Sequence, residues 1–435
     1  MTLTPSPGLS FSTPVAKGWV PELSHPPDHQ RLASMDELER AYESLAAWCR
    51  ARGYAGSDPF DGLNSELFQA TPLRHSRAAR LVWTQVFKRS PVNLRGLARV
   101  PVGRNAKGTA LFALAALARF RMLRTEAAER EARSLLDDLW NERLEGWSGA
   151  AWGYNFDWQS RSFYAPRGTP VIVPTAFAVR ALCEAARIFK DERYVRASRS
   201  ACEFILRDLH RSIETDDEVC FSYSPIDRTR VFNASLLAGE ALASVSSLTG
   251  EETLRRLALR AARYVTRRQR ADGSWAYGAE EYQSWADNFH TAFVLTSLAR
   301  MMAAGMAETA ELAPVLRRGY DFWRAHFFLA DGRPKYYYNK SYPACAHSVG
   351  AGVIACLELQ EIDSAAPEFA EKIARWAIRN LRDHRQGFFY YQRRRFYTVR
   401  TPYMRWSQAW MLYALARLLE ESKKSQAHGN AETRA

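Results

Sequence analysis

Residues 105–120 read NAKGTALFALAALARF, residues 174–189 PTAFAVRALCEAARIF, residues 233–248 NASLLAGEALASVSSL and residues 288–302 NFHTAFVLTSLARMM. Two more stretches follow, HSVGAGVIACLEL at 347–359 and RWSQAWMLYALARLL at 405–419. Each is Ala, Leu, Val or Ser nearly all round, and a helix without a charged face must be surrounded by protein. With Asn105, Pro174, Asn233, Asn288, His347 and Arg405 as markers, successive separations are 69, 59, 55, 59 and 58 residues. So regular a period is the signature of a repeat architecture. Between the apolar stretches lie segments charged on one face and apolar at i, i+3, i+4, at 125–144, 191–211, 251–268, 310–327 and 366–383. These read as solvent-facing helices, and a sixth comes from 35–51 or 65–87.

Inner and outer helices in alternation predict an all-α fold, an (α/α)6 toroid. An open solenoid needs terminal repeats with a polar outer face. Here the first and last units are as apolar as the middle ones, so the ring is expected to close. The expected organisation is a flexible Pro- and Ser-containing lead-in over 1–34, one toroid domain over 35–421, and a disordered polar tail over 422–435.

The whole chain has 435 residues, 47% apolar and 25% charged, which excludes disorder as the dominant state. No run approaches roughly 18 consecutive apolar residues, so no membrane span is expected. The first residues lack the basic and apolar regions of a secretory signal. Cys49, Cys183, Cys202, Cys220, Cys345 and Cys356 lie far apart with no CxxC pair, as buried reduced thiols of a cytoplasmic protein would. The net charge is +13. With no nucleic-acid-binding pattern present, nucleic acid is not expected as a partner. An acidic glycan, or an anionic membrane surface contacted peripherally, fits the charge better.

The loops that feed the inner helices carry the chemistry. In a closed toroid the inner helices point the same way, so their N-termini ring one basin where anions are favoured. The loops are rich in aromatic and polar residues, and the alternation in FSYS (221–224), SWAY (274–277) and FFYY (388–391) suggests short hairpins. Tyr223, Trp275, Tyr277, Trp285 and Trp406 suit stacking on sugar rings, whose faces are apolar and edges polar. Asp287 and His290, three apart at the start of the fourth inner helix, share a face and suit acid–base work. His347 occupies the matching position one unit later. Asp227 and Asp157 are further candidate acids, Asp157 with Arg161 as a substrate contact. Tyr403 is a candidate base, with Arg405 beside it suited to a carboxylate. Arg230, Asn233, Asn288 and Arg400 complete the polar rim. No GxSxG, HExxH, P-loop or post-strand GxGxxG is present, so neither a cofactor nor a metal is expected.

Five blocks carry a resemblance: DWQSRSFYAPRGTPVIVPTAFA (157–178), FSYSPIDRTRVFNASLL (221–237), DGSWAYGAEEYQSWADNFHTAF (272–293), YPACAHS (342–348) and YTVRTPYMRWSQAWM (397–411). Together they resemble bacterial polysaccharide-biosynthesis proteins of exopolysaccharide and O-antigen clusters, of the six-hairpin toroid type. One departure is Cys345, where the resemblance implies an acid two residues before His347. More distantly the chain is similar to six-hairpin glycosidases, which use paired carboxylates. It is also similar to toroidal lyases and uronate epimerases, which use His, Tyr, Asn and Arg. QRADGSW at 269–275 is similar to the repeat of terpene cyclases and prenyltransferases, although the acid motif and zinc set of those enzymes are missing. The resemblance implies a carbohydrate-active protein acting on a uronate-containing glycan by hydrolysis, β-elimination or epimerisation. In that reading Arg405 and Asn288 neutralise the carboxylate, and His290 or Tyr403 removes a proton. The alternatives are a binding subunit for a glycan or lipid-linked oligosaccharide, and an isoprenoid-handling toroid.

Overall fold

Each apolar stretch of the repeat forms a buried helix, and each amphipathic one packs outside it. The computed structural model describes residues 28–305 and 311–432, with side chains described within 35–305 and 311–426. The inner helices are α4 (Ala106–Leu123), α6 (Ile172–Phe189), α8 (Phe232–Thr249), α10 (Asn288–Ala303), α12 (Ala346–Glu358) and α14 (Trp410–Glu432). The outer helices are α1 (Asp28–Arg50), α5 (Glu126–Asn141), α7 (Glu192–Arg207), α9 (Glu252–Thr266), α11 (Ala313–His326) and α13 (Ala366–Leu381). Two further helices, α2 (Glu66–Gln69) and α3 (Arg77–Arg89), lie between α1 and α4.

The inner helices pack in sequence order, and α14 packs back onto α4, so the ring is closed. The sixth outer helix is α1, which packs on α14, while α3 lies over the loop face against the helical turns at 61–64 and 72–75. Outer helices bury one stripe only; in α9 it is Leu254, Ala258, Ala261, Ala262 and Val265. Starts and stops follow local chemistry. Asn105, Thr125, Asp191 and Asp287 cap α4, α5, α7 and α10 by accepting a backbone N–H, and α8 stops at Gly250, whose φ of +74° suits glycine.

At the C-terminal end of the barrel the inner helices are tied by buried and half-buried ion pairs, about one repeat apart in sequence except for Arg121–Glu420, which joins the two ends of the ring. Arg180 forks onto Glu240 at 2.8 and 2.7 Å, and Arg300 reaches both Glu240 (3.5 Å) and Glu358 (2.9 Å). Arg417 binds Glu358 at 3.0 Å, and Arg121 joins Glu420 (2.6 Å) to Glu184. Every inner helix contributes, so the network runs around the ring and fills the end away from the loops. The flanking arginines hold the carboxyls of buried Glu240 and half-buried Glu358 below the usual range.

The loop face carries three small sheets. β1 (Trp158–Gln159) pairs with β2 (Tyr164–Ala165), β3 (Arg211–Glu214) with β4 (Val219–Phe221), and β5 (Ala344–Cys345) with β6 (Gln392–Arg393), which pairs with β7 (Thr398–Val399). The expected hairpins at 221–224, 274–277 and 388–391 are displaced. Those aromatic stretches turn inward instead, burying Phe221, Tyr223, Trp275, Phe389 and Tyr391. α1 starts at Asp28 and α14 runs on to Glu432, while 1–27 of the lead-in and the last three residues of the tail lie outside the described residues. All six cysteines are buried and free. Among the described residues no helix is long and apolar enough to cross a membrane.

Candidate active site

The first N–H groups of a helix have no partner within it and give its end a partial positive charge. Here the inner helices aim those ends at a cavity of about 580 Å³. It is reached by Lys107 from α4, Val173 from α6, Asn233 from α8, His290 from α10 and His347 from α12, and by Arg405 and Trp406 from the π-helical turn Met404–Ala409 before α14.

Asp287 caps α10 through the His290 N–H (3.0 Å), and this fixes the carboxylate one turn from the imidazole. His290 Nδ1 then lies 2.7 Å from the same carboxylate, and Trp285 Nε1 donates to it at 3.3 Å. A carboxylate accepts, so Nδ1 carries the proton and Nε2 is left as the basic atom. The Tyr277 ring packs on the imidazole at 4.7 Å and stacks on Trp285 at 4.8 Å. Arg161 lies over the other side of this wall, 4.7 Å from the Trp285 ring.

His347 is 1% exposed, stacked between Phe289 (4.4 Å) and Trp410 (4.9 Å), with the edge of Trp406 at 4.2 Å. Neither ring nitrogen has a hydrogen-bond partner among the described residues. Burial, then the charges of Lys107, Arg405, His290 and Lys88, push it far below the usual imidazole range, so the ring is neutral. The Phe289 and Phe293 rings touch both histidines.

The lining is strongly basic. Lys88, Arg89, Lys107, Arg161, Lys340, Arg394 and Arg405 face it against one acid, Asp287. Burial pushes the Lys88 amine down to about 8. Arg405, expected to meet a substrate carboxylate, is already held by the protein: Nε and Nη2 fork onto Asp58 at 2.6 and 2.8 Å, both residues buried. Removing one partner of such a pair leaves a buried charge uncompensated. Asp58→Ala is therefore expected to cost about 3 kcal/mol, read as a lower midpoint in urea unfolding.

Of the residues singled out in the sequence, the cavity gathers Asp287, His290, His347, Arg161, Tyr223, Asn233, Tyr277, Trp285, Arg405 and Trp406. The others are used elsewhere. Asp227 closes its own turn, accepting from Thr229 N (2.8 Å) and Tyr223 N (3.4 Å). Asp157 accepts from Tyr164 Oη and Arg167 N, both at 2.8 Å. Tyr403 is fully buried, takes a hydrogen bond from Arg95 (3.0 Å) and donates to Phe87 O (3.2 Å), and burial raises its phenol to about 12. It is not placed as a base in the cavity. Asn288 joins Trp323 Nε1 (3.1 Å) to Phe327 O (3.2 Å), and Trp275 is a core side chain donating to Val265 O. Arg230 pairs with Glu280 at 2.7 Å. Among the described residues no group of three or more His, Cys, Asp or Glu is placed to hold a metal ion.

No protein-family model matches the chain, and no curated protein matches it in sequence. Solved structures do match. A cellobiose 2-epimerase from Bacillus thermoamylovorans superposes with a TM-score of 0.59 at 13% identity, over 75% of this chain and 90% of that one. An α-mannanase of glycoside hydrolase family 76 from Bacteroides thetaiotaomicron gives 0.58 at 11% identity, over 75% and 89%. An unsaturated glucuronyl hydrolase specific for heparin gives 0.57 at 12% identity, over 90% and 98%. The fold is the (α/α)6 toroid. At these identities the likeness concerns fold alone. The isoprenoid-handling alternative needs an apolar cavity, and the basic lining described above does not fit it.

Sequence reasoning missed Asp58, Lys88 and Lys107. Asp58 and Lys88 come from segments before the first repeat unit. Lys107 stands in the NAKG that opens the first inner helix, where a lysine reads as solvent-facing.

Proposed function

We propose that the protein moves a proton on an acidic sugar, by C5 epimerisation or β-elimination in a uronate-containing glycan. The observation that carries this reading is the Asp287–His290 pair opening on a basic, aromatic-walled cavity with no second acid in its lining. Hydrolysis with two carboxylates needs a partner about 5–5.5 or 6.5–9.5 Å from the first. Proton transfer needs a positioned base, positive charge near the developing enolate, and a dry site. His290 Nε2 is the base, and Asp287 holds its tautomer and balances the imidazolium. Tyr277, Trp285 and Trp406 supply stacking surfaces for the sugar.

Support from outside the chain is of two kinds. One structural neighbour is named as a sugar epimerase and another as a glucuronyl hydrolase. The polysaccharide-biosynthesis resemblance adds a setting, in which the glycan is free or lipid-linked and the protein works at the periphery of the membrane machinery. The test is incubation of uronate polysaccharides with the protein in deuterated water, followed by NMR. Deuterium at C5 is expected for epimerisation, and the absorbance of an unsaturated uronate, whose C5 carries no hydrogen, for β-elimination. New reducing ends with neither signal would mean hydrolysis and overturn the reading. Binding without any turnover would make the protein a glycan-binding subunit.

A further inference from the structure

One basic group in the cavity is almost wholly buried and has no acidic partner among the described residues. Lys107 is 2% exposed, and its Nζ lies 4.5 Å from the Phe177 ring, 4.8 Å from Phe293 and 5.3 Å from Trp410. Among the described residues it makes no ion pair. The acid with most influence on it, Asp58, is occupied on both oxygens by Arg405. The surrounding helix is otherwise Ala, Leu, Phe, Gly and Thr over its first turns, so a methionine or leucine would fill the position without the cost of burying an amine. Beside Lys107 stands His347, equally buried, with both ring nitrogens unpartnered. Two polar side chains, each more than nine-tenths buried and lining the same cavity, are left for something that is not protein.

We propose that Lys107 and His347 form the seat of the substrate's carboxylate at the cavity floor, so that a uronic acid enters with its acid group innermost. This rests on the reading of the cavity as a sugar site, and it assigns the carboxylate to Lys107 in place of Arg405. Three features make the occupant an anion. The amine lacks a counter-charge, it sits in the first turn of α4 where the helix end is positive, and the other groups that face it are cationic or apolar apart from Asp58. The aromatic rings hold an ammonium by their faces while offering no acceptor, which leaves its N–H donors for the ligand.

Binding is coupled to a proton. Burial and then Arg405 and Arg180 drive the amine well below its usual range, opposed only by Asp58, and His347 alongside is neutral. A carboxylate supplies the missing negative charge, and the amine takes up a proton as it binds. Affinity therefore falls as pH rises.

The experiment is titration calorimetry of the full chain with D-glucuronate, D-glucose and glucose 6-phosphate, in buffers of different ionisation enthalpy. Wild type is expected to bind glucuronate at least about tenfold more tightly than glucose, with net proton uptake. Lys107→Met is expected to erase that preference, and Lys107→Arg to keep part of it. Glucuronate bound no better than glucose, the phosphate bound in preference to it, or equal glucuronate affinity in wild type and Lys107→Met would overturn the assignment. The proton uptake is measured on wild type, so its absence overturns the assignment even if the variants fail to fold. Deuterium exchange separates the two readings. Turnover without Lys107 dependence of binding sinks the seat alone, and Lys107-dependent binding with neither exchange nor an unsaturated product sinks proton transfer alone.

Discussion

His290→Ala is expected to lower kcat on an acidic glycan by about 10²–10⁴, the usual worth of a positioned general base. KM is expected to change far less, because the aromatic walls and basic lining that hold the sugar are untouched. Asp287→Asn separates orientation from mere presence of the imidazole. Asparagine caps a helix as well as aspartate does, so α10 keeps its start. Its amide can donate to Nδ1, which moves the ring proton to Nε2 and leaves no base facing the cavity. A loss of similar size is expected, with the folded state intact by circular dichroism. If Asp287→Asn retains near wild-type turnover, the carboxylate serves only as a cap and the proposed pair has no catalytic meaning. These rates are read most cleanly as deuterium incorporation per enzyme.

The second large effect concerns the closed end of the barrel. Glu358 is the carboxylate that bridges Arg300 and Arg417, and with them α10, α12 and α14. Glu358→Ala leaves both guanidiniums short of their counter-charge in a buried setting, and a loss of about 3–5 kcal/mol is expected. At roughly 2.1 cal/mol/K of unfolding entropy per residue, a chain of this length should show this as a fall in Tm of several degrees. The sign of the pH effect follows from the direction of the shift. The Glu358 carboxyl is held below its unfolded value, so its contribution is present above the unfolded carboxylate range and is lost as pH falls toward the folded value. Wild type and Glu358→Ala should therefore differ most in stability near neutrality and converge in acid. A constant difference at all pH values would show that the loss comes from packing.

The ring is legible in the sequence because the repeat writes it six times, each unit pairing an apolar stretch with a one-faced amphipathic one. The ion-pair network is also written there. Arg121, Arg180, Glu240, Arg300, Glu358 and Arg417 recur at about one repeat, yet single charges in otherwise apolar stretches pass for noise until the helices are stacked. Asp287 and His290 are legible because their relation is local, three residues within one helix start. The pairing of Asp58 with Arg405 spans 347 residues, and no periodicity links them. Asp157 and Asp227 illustrate the opposite limit. An aspartate in a polar loop looks the same in sequence whether it faces a substrate or closes its own turn, and here backbone N–H groups claim both.

The most direct test of the account is a crystal structure of Asp287→Asn with a uronate-containing oligosaccharide, the variant keeping the imidazole but arresting turnover. The account predicts a uronic acid ring inside the cavity, with C5 about 3–3.5 Å from His290 Nε2, the near-attack distance for a reacting pair. A sugar seated outside the cavity along the 392–399 hairpin, or one whose C5 turns away from His290, would contradict it.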